Sequence, residues 1–264
     1  MKKIIVEKLN TIEQEKGIKI LFAIESGSRG WGFSSADSDY DVRFVYVRPK
    51  KDYLHINEQS DFLDFPINNE LDINGWDVRK FLKLLYASNA TPFEWMQSPI
   101  VYQKDESIFK MIVKVLPNYF CQQTLVQHYL GLVHKKIEML RTENMRLKDF
   151  FYIYRSLLAA RFALKNNQFP PMEFSKLMIQ IDMQSLLNET KQLVCLKKSM
   201  SEKYIDTINL ELIDYLENTH NELSESKKIK RKGTLDLEIL NETFYKIVTD
   251  ADNRYFKEKQ PNTF

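Results

Sequence analysis

Ser26-Gly27-Ser28-Arg29-Gly30-Trp31-Gly32-Phe33-Ser34-Ser35-Ala36-Asp37-Ser38-Asp39-Tyr40-Asp41-Val42-Arg43 is the stretch whose reading decides the fold. Just upstream, residues 18–26 (Ile-Lys-Ile-Leu-Phe-Ala-Ile-Glu-Ser) are rich in β-branched and aromatic side chains and stop at Gly27, as a buried strand does when it leaves its sheet. A turn and a short helix follow. Asp39-Tyr40-Asp41 then leads into Val42, Phe44, Val45 and Val47, a second strand that Pro49 brings to an end. Because side chains alternate faces along a strand, Asp39 and Asp41 share one face about 6.6 Å apart, and a neighbouring strand lies roughly 4.8 Å away. An acid on that neighbour completes a cluster. Asp72, set between Leu71 and Ile73 in a short third strand over residues 70–74, is the candidate.

Such a cluster calls for a cation. Two like charges about 4 Å apart repel by roughly 4 kcal/mol at an effective dielectric of about 20, and a divalent ion reverses that sign. Carboxylate oxygens with no accompanying Cys or His pattern point to magnesium, with manganese as a substitute, rather than zinc. Two ions can share the three acids, Asp39 and Asp41 bridging both and Asp72 holding one. Gly27 lets the backbone approach an anionic ligand, and the Ser28 hydroxyl with the amides at the helix start can donate to its oxygens. Arg29 suits either the same anion or a counter-charge to the acids. Arg43, on the strand face of Asp41, has the same two openings.

Outward from this stretch the chain changes character near residue 100. The first hundred residues hold Gly17, Gly27, Gly30, Gly32 and Gly75, five of the seven glycines, together with the strand patterns. Asp77 can cap a helix carrying Val78, Phe81, Leu82, Leu84 and Leu85, and Thr91-Pro92-Phe93-Glu94 reads as a capping box for another. Beyond residue 104, segments near 105–116, 121–141, 147–166, 172–181, 201–223 and 236–249 repeat apolar residues at helical spacing. The expectation is an α+β chain: a small mixed sheet with flanking helices over residues 1–103 and a mostly helical part over 104–264. With 264 residues and 44% hydrophobic content it can fill a core, and a formal net charge of +2 decides nothing about partners. No apolar run reaches the roughly 20 residues of a membrane span and no leader pattern is apparent, so a cytoplasmic location is expected. Cys121 and Cys195 are expected to be inert buried thiols, Trp76 and Trp95 core or interface aromatics, and the basic stretch 224–233 a solvated loop rather than a nucleic-acid contact. The histidines show no ligand spacing and no P-loop motif is present.

Gly-Ser closing an apolar strand, ten residues to Asp39, Asp-x-Asp entering a strand and a third acid flanked by apolar residues together resemble the DNA polymerase β-like nucleotidyltransferase superfamily. The blocks Gly-Ser-Arg-Gly, Ser-Asp-Tyr-Asp-Val-Arg, Leu-Asp-Ile-Asn-Gly-Trp-Asp-Val-Arg-Lys-Phe-Leu, Glu-Trp-Met-Gln-Ser-Pro-Ile-Val-Tyr and Arg-Leu-Lys-Asp-Phe-Phe-Tyr-Ile-Tyr-Arg-Ser-Leu-Leu-Ala-Ala-Arg, within residues 27–161, are similar to its family called RNA-ligase-associated (RlaP), or YcgL-like. The resemblance implies a polymerase β-like palm followed by helices. It implies transfer of a nucleoside monophosphate from a nucleoside triphosphate to a hydroxyl on RNA, protein or a small molecule, and association with RNA or an RNA ligase. On this reading Asp39, Asp41 and Asp72 are the catalytic and metal-holding acids, and Gly27, Ser28, Arg29 and Arg43 border the nucleotide. Lys148, Tyr152 and Arg155 share a helix face: the two cations can hold triphosphate and Tyr152 can stack on a base, or the face is merely amphipathic. Trp31 can border the same pocket. Two alternatives to an enzyme stay open, a catalytically silent nucleotide-binding regulator and an RNA-binding adaptor of RNA repair.

Overall fold

Apolar residues three and four apart give helix α1 (Lys2–Lys16) a buried stripe of Ile5, Leu9 and Ile12. Each such side chain contributes roughly 1.5–3 kcal/mol by leaving water. The computed structural model describes residues 1–66, 70–134, 136–142, 145–226 and 236–257. After α1 come β1 (Lys19–Glu25), α2 (Gly27–Trp31), β2 (Tyr40–Val47), β3 (Phe62–Asp64), β4 (Leu71–Asp77), α3 (Val78–Tyr86), α4 (Ala90–Trp95) and β5 (Val101–Lys104). The strands form one mixed sheet in the order β3-β4-β2-β1-β5, with β2 and β4 parallel and the other pairs antiparallel.

Alternation along β2 sorts its side chains between two cores. Val42, Phe44 and Tyr46 join Leu71, Ile73 and the stripe of α1 on one face, while Val45 and Val47 join the larger helical core on the other. Gly75 makes room for this packing, because a Cβ there would fall 2.2 Å from the Phe44 ring. Trp76 stacks on Trp95 with ring centroids 4.1 Å apart, as expected of core aromatics.

The helices that follow are α5 (Glu106–Val115), α6 (Gln122–His134), α7 (Leu147–Asn166), α8 (Phe174–Leu177), α9 (Gln184–Ser199), α10 (Leu210–Glu225) and α11 (Leu237–Ala251). They pack directly on the sheet: one buried cluster runs from Leu21 and Val45 through Phe150 and Leu212 to Ala251. The chain is α+β, as its patterning predicts.

Several local expectations are corrected. The cap of α4 is Asn89, whose side chain accepts from the Thr91 amide at 2.9 Å, so Thr91 and Pro92 already lie inside the helix. The apolar spacing of 201–223 is helical only from Leu210, where Asn209 caps the helix. Residues 201–209 instead form a non-helical strap that turns at Glu202 and Lys203, and its Ile205 bridges to Arg146. Cys121 is half-buried and Cys195 exposed, because α9 turns Leu186, Thr190, Leu193 and Lys197 inward and leaves Cys195 off that stripe. Helices α1 and α9 and strands β3 and β5 add to the elements expected. Residues 227–233 of the basic stretch lie outside the described residues. No helix among the described residues is long and apolar enough to cross a membrane.

Candidate active site

The parallel register of β2 and β4 sets Asp41 directly against Asp72. Both face the helical core and both are half-buried. One guanidinium nitrogen of Arg43, Nη2, donates to Asp41 Oδ1 at 3.1 Å and to Asp72 Oδ2 at 2.6 Å. Nη1 donates to the Val42 and Asp72 carbonyls at 3.1 and 3.0 Å. Arg43 lies two residues beyond Asp41, on the same face, and its side chain therefore falls over the acid pair. Burial foremost raises the pKa of Asp41; Arg43 pulls it down, Asp72 and Asp39 push it up, and Lys148 pulls it down.

Gly27 closes the bend against this pair. Its φ is +56°, and a Cβ there would lie 1.9 Å from Asp41 Oδ2, so the position excludes any side chain on steric and backbone grounds alike. The Ser26 amide donates to the Asp41 carbonyl at 2.8 Å, tying strand end to strand start. Glu25, missed in the sequence, completes the tie: fully buried, it accepts the Asp41 amide at 2.8 Å on Oε1 and the Tyr102 hydroxyl on Oε2. Burial foremost drives its pKa up, while Tyr102 and the Asp41 amide hold it down. Its signal was a lone acid at the end of an apolar strand, one residue before the bend.

The remaining candidates divide between the acid pair and its supports. Asp39 is exposed, one residue ahead of β2, and among the described residues no three His, Cys, Asp or Glu side chains gather into a ready metal cage. Arg29 donates from Nε to the Asp39 carbonyl at 3.1 Å and from Nη2 to the Ser38 carbonyl at 2.6 Å, and stacks on Tyr40 at 3.9 Å, so it shapes the loop backbone. Ser28 is buried at the start of α2. Lys148 pairs with Glu202 at 2.6 Å and acts electrostatically on Asp39 and Asp41; burial opposes its charge, but Glu202 with Tyr152 and Asp39 together raise its pKa. Tyr152 sets its ring edge-on to Trp31 at 4.9 Å, with Lys136 Nζ 5.8 Å from its centroid. Arg155 stands behind that wall, buried, bonded to Glu94 at 3.0 Å and to the Met172 carbonyl at 3.1 and 3.2 Å, its guanidinium 4.4 Å from the Trp31 ring. The Trp31 indole N–H is buried and finds no acceptor among the described residues.

The donor set fits a hard divalent ion. Carboxylate oxygens from neighbouring strands already flank one positive group, the Arg43 guanidinium, and Asp41 Oδ2 turns toward a residue with no side chain. Sheet order, glycine bend and paired acids define a polymerase β-like fold of the nucleotidyltransferase type. The chain belongs to the family RlaP, described as the RNA repair pathway DNA polymerase beta family, whose model matches residues 1–246. The match takes in α9 and α10, beyond the blocks recognised within residues 27–161. The chain is also 35% identical over 243 residues to the uncharacterized protein YcgL of Bacillus subtilis (strain 168), covering 90% of this chain and 94% of that protein.

Proposed function

We propose that the protein is a metal-dependent nucleotidyltransferase that moves a nucleoside monophosphate from a nucleoside triphosphate to a hydroxyl acceptor, in keeping with an RNA repair family. The observation that carries this reading is the in-register Asp41–Asp72 pair pressed against Gly27. Asp41 and Asp72 would hold magnesium, or manganese in its place, with Asp39 as the outer ligand. The bound ions supply a more acidic acceptor hydroxyl and charge neutralisation of the triphosphate. Arg43, which holds the acid pair in the metal-free protein, would instead face the phosphates once that pair held metal. Gly27 and Ser28 admit the phosphates close to the backbone, Lys148 adds positive charge at the same mouth, and Tyr152 with Trp31 gives an aromatic wall for the base. The acceptor oxygen bonds to the α-phosphorus as the bond to the bridging oxygen breaks, its electron pair leaving with pyrophosphate and the acceptor proton passing to a carboxylate or water. RNA ends are the acceptor class that the family description favours.

One observation favours a silent nucleotide-binding regulator: Arg43 already neutralises the acid pair. The two readings part in one assay. Labelled nucleoside triphosphates, magnesium and candidate RNAs are incubated with wild type and Asp41→Ala; the enzyme gives labelled acceptor and pyrophosphate only with wild type. Equal labelling by both proteins defeats the transfer reading.

A further inference from the structure

The end of α9 and the strap that follows it touch the Asp-x-Asp loop at Ser35, Asp37 and Ser38. Lys197, fully buried on α9, donates from Nζ to Ser35 Oγ, and its carbonyl accepts from that hydroxyl at 2.9 Å. Glu202 Oε1 accepts from Ser38 Oγ at 2.8 Å, and the Glu202 amide donates to Asp37 at 3.0 and 3.2 Å. Ser38 Oγ in turn receives the Ser35 amide at 2.9 Å, so the same hydroxyl that reaches the strap also closes the loop. The second oxygen of Glu202 accepts from Lys148 Nζ at 2.6 Å. On its far side the strap is sewn to the start of α7, with the Leu147 amide donating to the Tyr204 carbonyl at 3.0 Å and the Asp206 amide to the Met145 carbonyl at 3.3 Å.

We infer that Glu202 is a positioning residue of the active site, a side chain through which the C-terminal helices fix both the Asp39 loop and the Lys148 ammonium relative to the acid pair. The inference rests on the transfer reading for what is positioned, but the fastening itself is independent of it. A loop of Ser34, Ser35, Ala36, Asp37 and Ser38 has little apolar surface to hold it, and Asp39 at its end is exposed. Without outside bonds such a loop samples many conformations, and a carboxylate displaced by about 1 Å loses much of its catalytic value. Glu202 supplies the bond at Ser38, the residue immediately before Asp39. It also stops Lys148 from collapsing onto Asp39 or Asp41, which keeps that charge in reserve for an incoming phosphate. The two jobs use different atoms. Substitution can therefore separate them: Glu202→Gln keeps an acceptor for Ser38 while removing the charge that holds Lys148, and Glu202→Ala removes both.

Hydrogen exchange over residues 33–42, measured on the full chain without nucleotide, reads the fastening. Exchange in Glu202→Ala should quicken about tenfold, with Glu202→Gln near wild type and Ser38→Ala, which removes the donor to Glu202 together with the acceptor of the Ser35 amide, at least as fast as Glu202→Ala. Transfer kinetics read the positioning: Glu202→Ala should lose about tenfold to a hundredfold in kcat, whereas Glu202→Gln should shift chiefly KM for the triphosphate. Unfolding midpoints show whether each variant remains folded, and Glu202→Met, which keeps the length of the side chain without a carboxylate acceptor, carries the test if Glu202→Ala does not. Unchanged exchange in both Glu202→Ala and Ser38→Ala overturns the inference whatever the activity. Faster exchange together with a wild type that transfers nothing leaves the fastener standing and sinks the transfer reading instead.

Discussion

Strands β2 and β4 run side by side in parallel, and each end of the pair carries an arginine among carboxylates. At the end where the strands begin, Arg43 spans Asp41 and Asp72. At the other end Arg48 approaches Asp77, Nε to Oδ2 at 3.9 Å. The resemblance stops at the oxygens. Asp77 is buried, with Oδ1 accepting from the Arg79 amide at 2.8 Å as the cap of α3 and Oδ2 accepting from the Tyr53 hydroxyl at 2.9 Å. Asp41 Oδ2 and Asp72 Oδ1 accept no hydrogen bond from the described residues, and the charge set between the two acids is the Arg43 guanidinium. A carboxylate with every oxygen committed to the fold is structural. A pair that shares one guanidinium and keeps lone pairs free is where we propose that a metal ion binds.

Two substitutions five positions apart on β4 break this comparison if it is wrong. Asp72→Asn should lower nucleotidyl transfer about a thousandfold or more, roughly 4 kcal/mol in the barrier, while its unfolding free energy stays within about 1 kcal/mol of wild type. Asp77→Ala should do the reverse. It removes a helix cap, worth about 1 kcal/mol, and leaves the Tyr53 hydroxyl without its acceptor, worth about 1–3 kcal/mol, so stability falls by about 2–4 kcal/mol with transfer per folded molecule retained. Denaturant unfolding and single-turnover kinetics on both variants check the pair. Loss of activity in Asp77→Ala at full folding would place both ends in the chemistry.

The strand-start end was largely legible in the sequence, and the reason is locality. Gly27, Asp39 and Asp41 lie within one strand–turn–strand unit whose glycine and alternation carry their own signal, and Asp72 stands out as an acid between Leu71 and Ile73. What the sequence hid is chiefly long-range. Ser35 and Ser38 meet Lys197 and Glu202 across 162 and 164 positions, and no periodicity marks such a pairing. The strap itself misled, because Ile205, Ile208 and Leu212 mimic helical spacing while Asn209 caps the real helix. Glu25 was concealed in an apolar run, and Arg43 was recognisable as a neighbour of the acids but not as the bridge between them. Arg155 shared a helix face with Lys148, yet Glu94 and Met172, from other segments, claim its guanidinium.

Arg43 sharpens the comparison further. If the guanidinium merely fills a place that a metal ion takes, Arg43→Met keeps the apolar stem and removes the competitor. The metal-free variant should unfold at lower temperature, since two carboxylates are left facing each other, and manganese should bind about tenfold more tightly than to wild type, about 1.4 kcal/mol. Calorimetric titration with manganese alone measures this without any turnover. Weaker binding in the variant would mean that Arg43 belongs to the permanent scaffold, as Arg48 does at the other end.

The smallest expected effect concerns pH, and it separates two capping aspartates by sign. Burial foremost raises the pKa of Asp77, ahead of the Arg79 amide, Tyr53, Arg48 and Arg79 that pull it down. Asp105, the cap of α5, is also pushed up by burial, but Tyr255, the Ile108 amide, Ser107 and Arg254 together hold it down to about 2. A carboxyl whose folded pKa is raised stabilises the fold below its unfolded pKa, and that contribution disappears as pH rises through the folded value. A depressed one stabilises above the unfolded pKa and is lost as pH falls through the folded value. Wild type should therefore hold its greatest advantage over Asp77→Asn at about pH 3 and surrender part of it by about pH 7, whereas its advantage over Asp105→Asn should be full at about pH 7 and shrink toward about pH 3. Urea unfolding of the three proteins across that range measures both slopes, and groups common to all of them cancel in the differences. Slopes of the same sign would mean that the Asp77 donors outweigh its burial, and the contrast between a sealed carboxylate and an open pair would then have to rest on geometry without charge.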